Sequence, residues 1–217
     1  NAGQNLTAMN VYDENGRELM SAQLKRQTLN VTLPRQSLLE IIKSYVQPSS
    51  IYTEHVVTGL EQTNSKVTVH FSEQESEAFD LCIGADGLHS KVREAVQAPT
   101  KINYQGYTCF RGLVDDVQLK DEHVANEYWG TKGRVGIVPL INNQAYWFIT
   151  VPAKEKDPKY QTFGKPHLQA YFNHFPNEVR QILDKQSETG ILLNDIYDMK
   201  PLKTFVYGRT LLLGDAA

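Results

Sequence analysis

The run Asp80-Leu81-Cys82-Ile83-Gly84-Ala85-Asp86-Gly87-Leu88-His89-Ser90-Lys91-Val92-Arg93 constrains this chain more than any other stretch. An apolar strand enters a glycine-bearing turn, and a helix leaves it. Gly84 and Gly87 permit a close backbone approach or a positive φ. Ser90 is placed to cap the helix, whose first N–H groups are then free to face an anion. Asp86 sits where a carboxylate either accepts a hydrogen bond from a sugar hydroxyl or orients the turn itself. Taken alone, Gly-Ala-Asp-Gly is equally well a plain strand–turn–helix, so the rest of the chain must decide.

Two hairpins precede the run. Leu6–Tyr12 and Glu18–Leu24 flank the turn residues Asp13-Glu14-Asn15-Gly16, and His55–Gln62 and Val67–Phe71 flank Thr63-Asn64-Ser65. Between them Leu33-Pro34-Arg35-Gln36-Ser37 opens a helix, with Leu38, Leu39, Ile42 and Val46 spaced for one buried face and Pro48 as its stop. Phe79–Ile83 reads as one short buried strand, followed by a helix over 90–96. Tyr104–Val117, Arg134–Leu140 and Ala145–Val151 are extended and rich in β-branched and aromatic residues. The stretch Lys154–Lys159 reads as a surface loop, His167–Phe175 and Glu178–Leu183 as helices divided by Pro176, and Ile191–Tyr197 and Thr210–Leu213 as strands.

The composition suits a packed globular chain: 41% hydrophobic and 22% charged over 217 residues. A net charge of −3 with scattered Lys and Arg gives no footprint for nucleic acid or an anionic membrane. No apolar run approaches the ~20 residues of a bilayer span. Cys82 and Cys109 are too few for a disulfide framework and fit a reducing, cytoplasmic setting. His55, His70, His89, His123, His167 and His174 show no ligand spacing, so no metal site is expected.

Two further motifs carry chemistry. At Thr210-Leu211-Leu212-Leu213-Gly214-Asp215 an apolar strand ends in Gly-Asp, which places a carboxylate at the carboxyl edge of a sheet, where ligands of α/β folds bind. Arg35 stands at a helix start, where a cation meets the positive end of the helix dipole and gains from an anionic neighbour.

The pattern of apolar strand, Gly-Ala-Asp-Gly, two residues, Ser, two residues, Arg resembles the Asp-Gly fingerprint of class A FAD-dependent aromatic-ring monooxygenases. Gly214-Asp215 resembles the Gly-Asp fingerprint of the same family, and Arg35-Gln36-Ser37-Leu38 its Arg-x-x-Leu. Tyr104–Val114, Trp129-Gly130, Gly133-Arg134-Val135, Pro139 and Ala145–Phe148 extend the likeness to the urate hydroxylase, zeaxanthin epoxidase and salicylate hydroxylase group. The resemblance implies a mixed α/β fold of the p-hydroxybenzoate hydroxylase kind: part of a Rossmann-like FAD/NAD(P)-binding domain joined to an antiparallel-sheet substrate domain. It implies a substrate-domain hairpin over 1–27, FAD-binding segments over 28–98 and 207–217, and a substrate domain over 99–206. FAD contacts are then expected from Arg35, Asp86, Gly87, Gly214 and Asp215, and from the backbone of Val57, which is otherwise a core valine.

Arg134 and Tyr146 fall where urate-hydroxylase members place substrate-pocket residues. Arg111 replaces a small polar residue, a departure that puts urate in doubt and suits a carboxylated or phenolate ligand. The alternative for both arginines is a surface charge.

The implied function is an NAD(P)H- and O₂-dependent hydroxylation or epoxidation of an electron-rich small molecule, the flavin supplying the reactive chemistry and the protein no catalytic side chain. No Gly-x-Gly-x-x-Gly follows a first strand, and the residues that follow the Gly-Asp fingerprint in the family are missing too. The chain is therefore read as an internal fragment, inactive by itself. Two alternatives stay open: a same-fold flavin reductase acting on a lipid or isoprenoid, and a binding domain without catalysis.

Overall fold

The computed structural model describes residues 2–25 and 29–217. The expected boundary between residues 27 and 28 lies outside them. In chain order the strands are β1 (Gln4–Asn5), β2 (Ala8–Asp13), β3 (Glu18–Gln23), β4 (Val31–Thr32), β5 (Val57–Gln62), β6 (Val67–Phe71), β7 (Glu77–Phe79), β8 (Cys82–Gly84), β9 (Ile102–Val114), β10 (Val124–Gly130), β11 (Gly133–Pro139), β12 (Ala145–Pro152), β13 (Leu192–Met199), β14 (Val206–Tyr207) and β15 (Thr210–Leu212). The helices are α1 (Arg35–Lys43), α2 (Lys91–Val96), α3 (Pro158–Gln161), α4 (Lys165–Tyr171) and α5 (Asn177–Lys185). The fold is mixed α/β and divides into two compact units, Asn1–Tyr45 with Gly106–Ile196, and Val46–Gln105 with Tyr197–Ala217.

The first unit is built on a seven-stranded sheet of order β13-β9-β12-β11-β10-β2-β3. Strand β2 runs parallel to β10, and the pairs from β9 through β12 and β11 to β10 are antiparallel. Strand β12 alternates strictly: Ala145, Trp147, Ile149 and Val151 are buried, and Tyr146, Phe148 and Thr150 half-buried. The buried set joins Phe110, Val135 and Ile137 under Leu168, Phe172, Val179, Ile182 and Leu183 of the helical layer. Each large apolar side chain contributes about 1.5–3 kcal/mol by leaving water. Trp147 brings a polar N–H into this core, and it donates to Gln186 Oε1 at 2.8 Å, so that N–H is not left unpaired. The β11–β12 turn uses Asn142 and Asn143 at φ 60° and 56°, a conformation asparagine tolerates better than most residues.

Strand β10 is absent from the sequence reading, and the structure supplies the reason. Asn126 and Tyr128 point inward, where an apolar residue is expected, and both donate to the carboxylate of Glu178 on α5. The amide N–H of the polar residue that spoils the alternation finds its acceptor 52 positions away. The expected strand Phe79–Ile83 is in fact two: Phe79 closes β7, and β8 begins at Cys82. Asp80 breaks the run because its side chain pairs with Lys66 at 2.8 Å and its carbonyl accepts from Arg209. Within the expected loop Lys154–Lys159, Asp157 caps the single helical turn α3. The apolar stripe of α1 is present, but no residue of the helix is buried, and Leu39 and Ile42 are more than half exposed. Spacing makes a stripe; burial also needs a surface to meet it.

The second unit holds two three-stranded sheets, β5-β6-β7 and β14-β15-β8. Its core is Leu60, Val67, Val69, Val92 and Leu212. Gly84 lets α2 lie directly on β8, since a Cβ there would stand 2.6 Å from Val92 Cγ1.

Candidate functional site

In the second unit β8 and β15 run parallel, with Gly84 opposite Leu212. Their following turns therefore leave the same carboxyl edge, the place where α/β sheets bind ligands. Leu213 N–H donates to Gly84 O at 2.9 Å, which fixes the two turns side by side. Gly87 and Gly214 have φ of 83° and 60°, and a Cβ on either would meet nothing within 4 Å. The space beside both turns is thus open to an incoming group. Asp215 is exposed and has no hydrogen-bond or ion-pair partner among the described residues. A free acceptor, two open glycine turns and a parallel-strand edge fit the hydroxyl-rich backbone of a dinucleotide such as FAD.

Asp86 is differently employed. Ser90 Oγ–H donates to its Oδ1 at 2.5 Å, and the backbone N–H groups of Lys91 and Val92 donate to Oδ2 at 2.8 and 3.2 Å. Partial desolvation opposes its ionisation, but the bonds from Ser90, Val92 and Lys91 outweigh it, and the carboxyl lies below its ordinary range. Ser90 in turn accepts from Arg93 N–H at 2.9 Å, the expected cap. Arg93, part of the motif but given no role in the sequence reading, is 2% exposed. Its guanidinium donates to Leu88 O on the first turn and to Ala216 O, at 3.1 Å, on the second. One buried cation joins the two motifs.

Val57 begins β5 opposite Phe71 and packs partly buried against the unit's core. Arg35 belongs to the first unit, where it opens α1 with an exposed side chain and no partner among the described residues.

Arg111, Arg134 and Tyr146 come together in the first unit, on the sheet face opposite the helical layer. The register sets Arg111 beside Phe148 and Arg134 beside Thr150 on neighbouring strands, so their side chains share that face. They line a cavity of about 430 Å³ with Tyr107, Glu127 and Phe148. Phe148 can lie flat there because Gly136 opposite has no side chain; a Cβ would stand 2.1 Å from its ring. Burial pushes the Tyr146 phenol up, and the Arg111 guanidinium partly offsets this. Burial likewise pushes up the Cys109 thiol, against a hydrogen bond from Arg111. Both groups are therefore neutral near pH 7. Glu127 was missed with its strand. Once β10 is placed, its register with β11 brings Glu127 and Trp129 to the same face as Arg134.

Comparison with known proteins identifies the family of the chain. The family model described as "FAD binding domain" covers residues 3–217. The chain is 28% identical over its whole length to an aurachin C monooxygenase/isomerase of Stigmatella aurantiaca, of which it spans 57%. It is 31% identical over 85% of its length to the chloroplastic zeaxanthin epoxidase of Nicotiana plumbaginifolia, spanning 28% of that protein. Among solved structures, Klebsiella pneumoniae HpxO complexed with FAD and uric acid superimposes with a TM-score of 0.84 at 25% identity, over 99% of this chain and 57% of that one. The chain thus spans little more than half of these proteins at most. The structural neighbours share the p-hydroxybenzoate hydroxylase-like fold. Matched over residues 3–217 and carrying both glycine turns on one sheet edge, the chain belongs to the FAD binding domain family.

Proposed function

We propose that the full-length protein is an FAD-dependent monooxygenase that hydroxylates or epoxidises an electron-rich, aromatic small molecule with NAD(P)H and O₂. The observation that carries this reading is the pair of open glycine turns, held at one strand edge by Arg93, beside Asp215, which has no partner among the described residues. Bound FAD would supply electron acceptance from NAD(P)H and activation of O₂. The chain's own residues supply placement. Asp215 accepts from a cofactor hydroxyl, and Gly87 and Gly214 admit the cofactor against bare backbone. Asp86 keeps the first turn in shape, Arg35 offers a positive charge, and the backbone of Val57 is a further contact. Residues 28–98 and 207–217 serve the flavin, and 1–27 and 99–206 serve the substrate, which Arg111, Arg134 and Tyr146 hold in a cavity partly shielded from water. The two relatives named a monooxygenase/isomerase and an epoxidase support oxygen insertion. The same reading places the protein in the cytoplasm, in keeping with its free cysteines.

The test is to express the full-length gene product, release its chromophore and measure oxygen uptake with NADH and NADPH over a panel of phenols, aromatic acids and polyenes. Yellow protein that releases FAD and couples oxygen uptake to an oxygenated product is the expected outcome. Folded, colourless protein that takes up no added FAD sinks the reading.

A further inference from the structure

Among the described residues three buried side-chain oxygens lack a hydrogen-bond partner, and two of them belong together: Asn10 Oδ1 and Asn126 Oδ1. The register of β2 and β10 sets Asn10 opposite Asn126 and Tyr12 opposite Tyr128. The two tyrosine rings stack with centroids 5.3 Å apart and pack with the core beneath the helical layer. The donors of this cluster are turned away from the two oxygens. Asn126 Nδ2–H and the Tyr128 hydroxyl donate to the Glu178 carboxylate, and Asn10 Nδ2–H donates to the Tyr12 hydroxyl at 3.2 Å. The Asn126 amide cannot be turned over, because its oxygen would then face the carboxylate. Glu178 stands in the first turn of α5, where the helix dipole favours the anion. Burial and the Glu178 carboxylate push the Tyr128 phenol far up, so the tyrosine stays a neutral donor. Oε2 takes the hydroxyl and the Asn126 amide at 3.1 Å, whereas Oε1 has only that amide, at 3.4 Å. No Lys, Arg or His pairs with the carboxylate among the described residues.

We infer that Asn10, Asn126 and Glu178 form a site for a monovalent alkali cation, Na⁺ or K⁺, held by the two amide oxygens and the carboxylate. The donor set is all oxygen, which suits a hard ion. It carries one negative charge, so a singly charged ion neutralises it, and a divalent ion would leave a positive charge unmatched in a half-buried place. A water could serve the two amide oxygens but would leave the carboxylate without a counter-charge. The ion would tie the parallel strands β2 and β10 to α5 and so hold the helical layer on its sheet. The site is independent of the flavin reading: it uses neither the glycine turns nor the opposite face of the sheet.

Urea midpoints of the full-length protein in NaCl, KCl and choline chloride at one ionic strength test it. The midpoint is expected to rise, and to saturate, as Na⁺ or K⁺ replaces choline. Glu178→Gln abolishes that rise. Asn10→Ala removes one ion–carbonyl contact and weakens the apparent affinity about tenfold. Asn10→Asp adds a second carboxylate and creates a rise with CaCl₂ that the unaltered protein lacks. Each protein is compared with itself across salts, so a general loss of stability moves none of these readouts. If Glu178→Gln does not fold, the two Asn10 variants decide. Equal midpoints in the three salts would mean that the protein satisfies both oxygens by itself, and would overturn the inference. So would a rise that survives Glu178→Gln, an unchanged affinity in Asn10→Ala, or an Asn10→Asp protein indifferent to CaCl₂.

Discussion

Ser90, Asp86 and Arg93 show how much of a glycine turn is held up by its own side chains. Ser90 is completely buried and bonded on both sides, donating to Asp86 and accepting from Arg93 N–H. Ser90→Ala is expected to lower stability by about 1 kcal/mol, the usual cost of a lost N-cap, as a drop in urea midpoint. Arg93→Ala takes the donor from one buried and one partly buried carbonyl and should cost roughly 3 kcal/mol in the same measurement. Asp86 adds a pH signature. Its carboxyl lies below its unfolded value of 3.8, so its stabilisation is complete above that value and is lost as the pH falls through the lower folded one. The difference in urea midpoint between the unaltered protein and Asp86→Asn should accordingly be largest near neutrality and shrink below about pH 4. A difference that stays constant into acid would mean that the carboxylate contributes nothing as an anion.

At the level of strands, the cavity floor depends on a gap in β11. Gly136→Ala forces a methyl group into the Phe148 ring and is expected to destabilise the protein by about 1–3 kcal/mol. The double variant Gly136→Ala/Phe148→Leu should recover part of that loss, and denaturation midpoints of the four proteins in the cycle would measure the coupling. Strict additivity would show that the two positions do not share space. The same strands illustrate what a sequence discloses. The alternation of β12 is plain because its inward residues are all apolar, and the strand–turn–helix around Gly84 is plain because glycine and a capping serine are local signals. Strand β10 is hidden because its inward Asn126 and Tyr128 are matched by Glu178, a partner that no local pattern reveals. Arg111, Arg134 and Tyr146 could be singled out by resemblance, but Glu127 could not. Its meaning depends on the register of an unread strand. Arg93 was visible in its motif, yet its role depends on a carbonyl that only the folded chain brings near.

Across the whole molecule the two units differ in how well they are filled. Among the described residues the first has seventeen buried side chains in one core cluster and the second has five. Amides of β11 and β12 are expected to exchange with deuterium more than about tenfold more slowly than those of β5 and β6, read by peptide-level mass spectrometry. Equal protection would mean that the small core is reinforced from elsewhere. The pairing of β8 with β15 has a consequence for biosynthesis. Arg93 bonds to a carbonyl 123 residues further along the chain. At ordinary translation speeds roughly ten seconds separate the two on the ribosome. Throughout that interval β9 to β13 are being made, while β8 presents an open edge and Arg93 a cation without its second acceptor. The nascent chain can therefore complete the large sheet before the paired turns exist, and the bridge that Arg93 makes between those turns can close only once Ala216 has emerged.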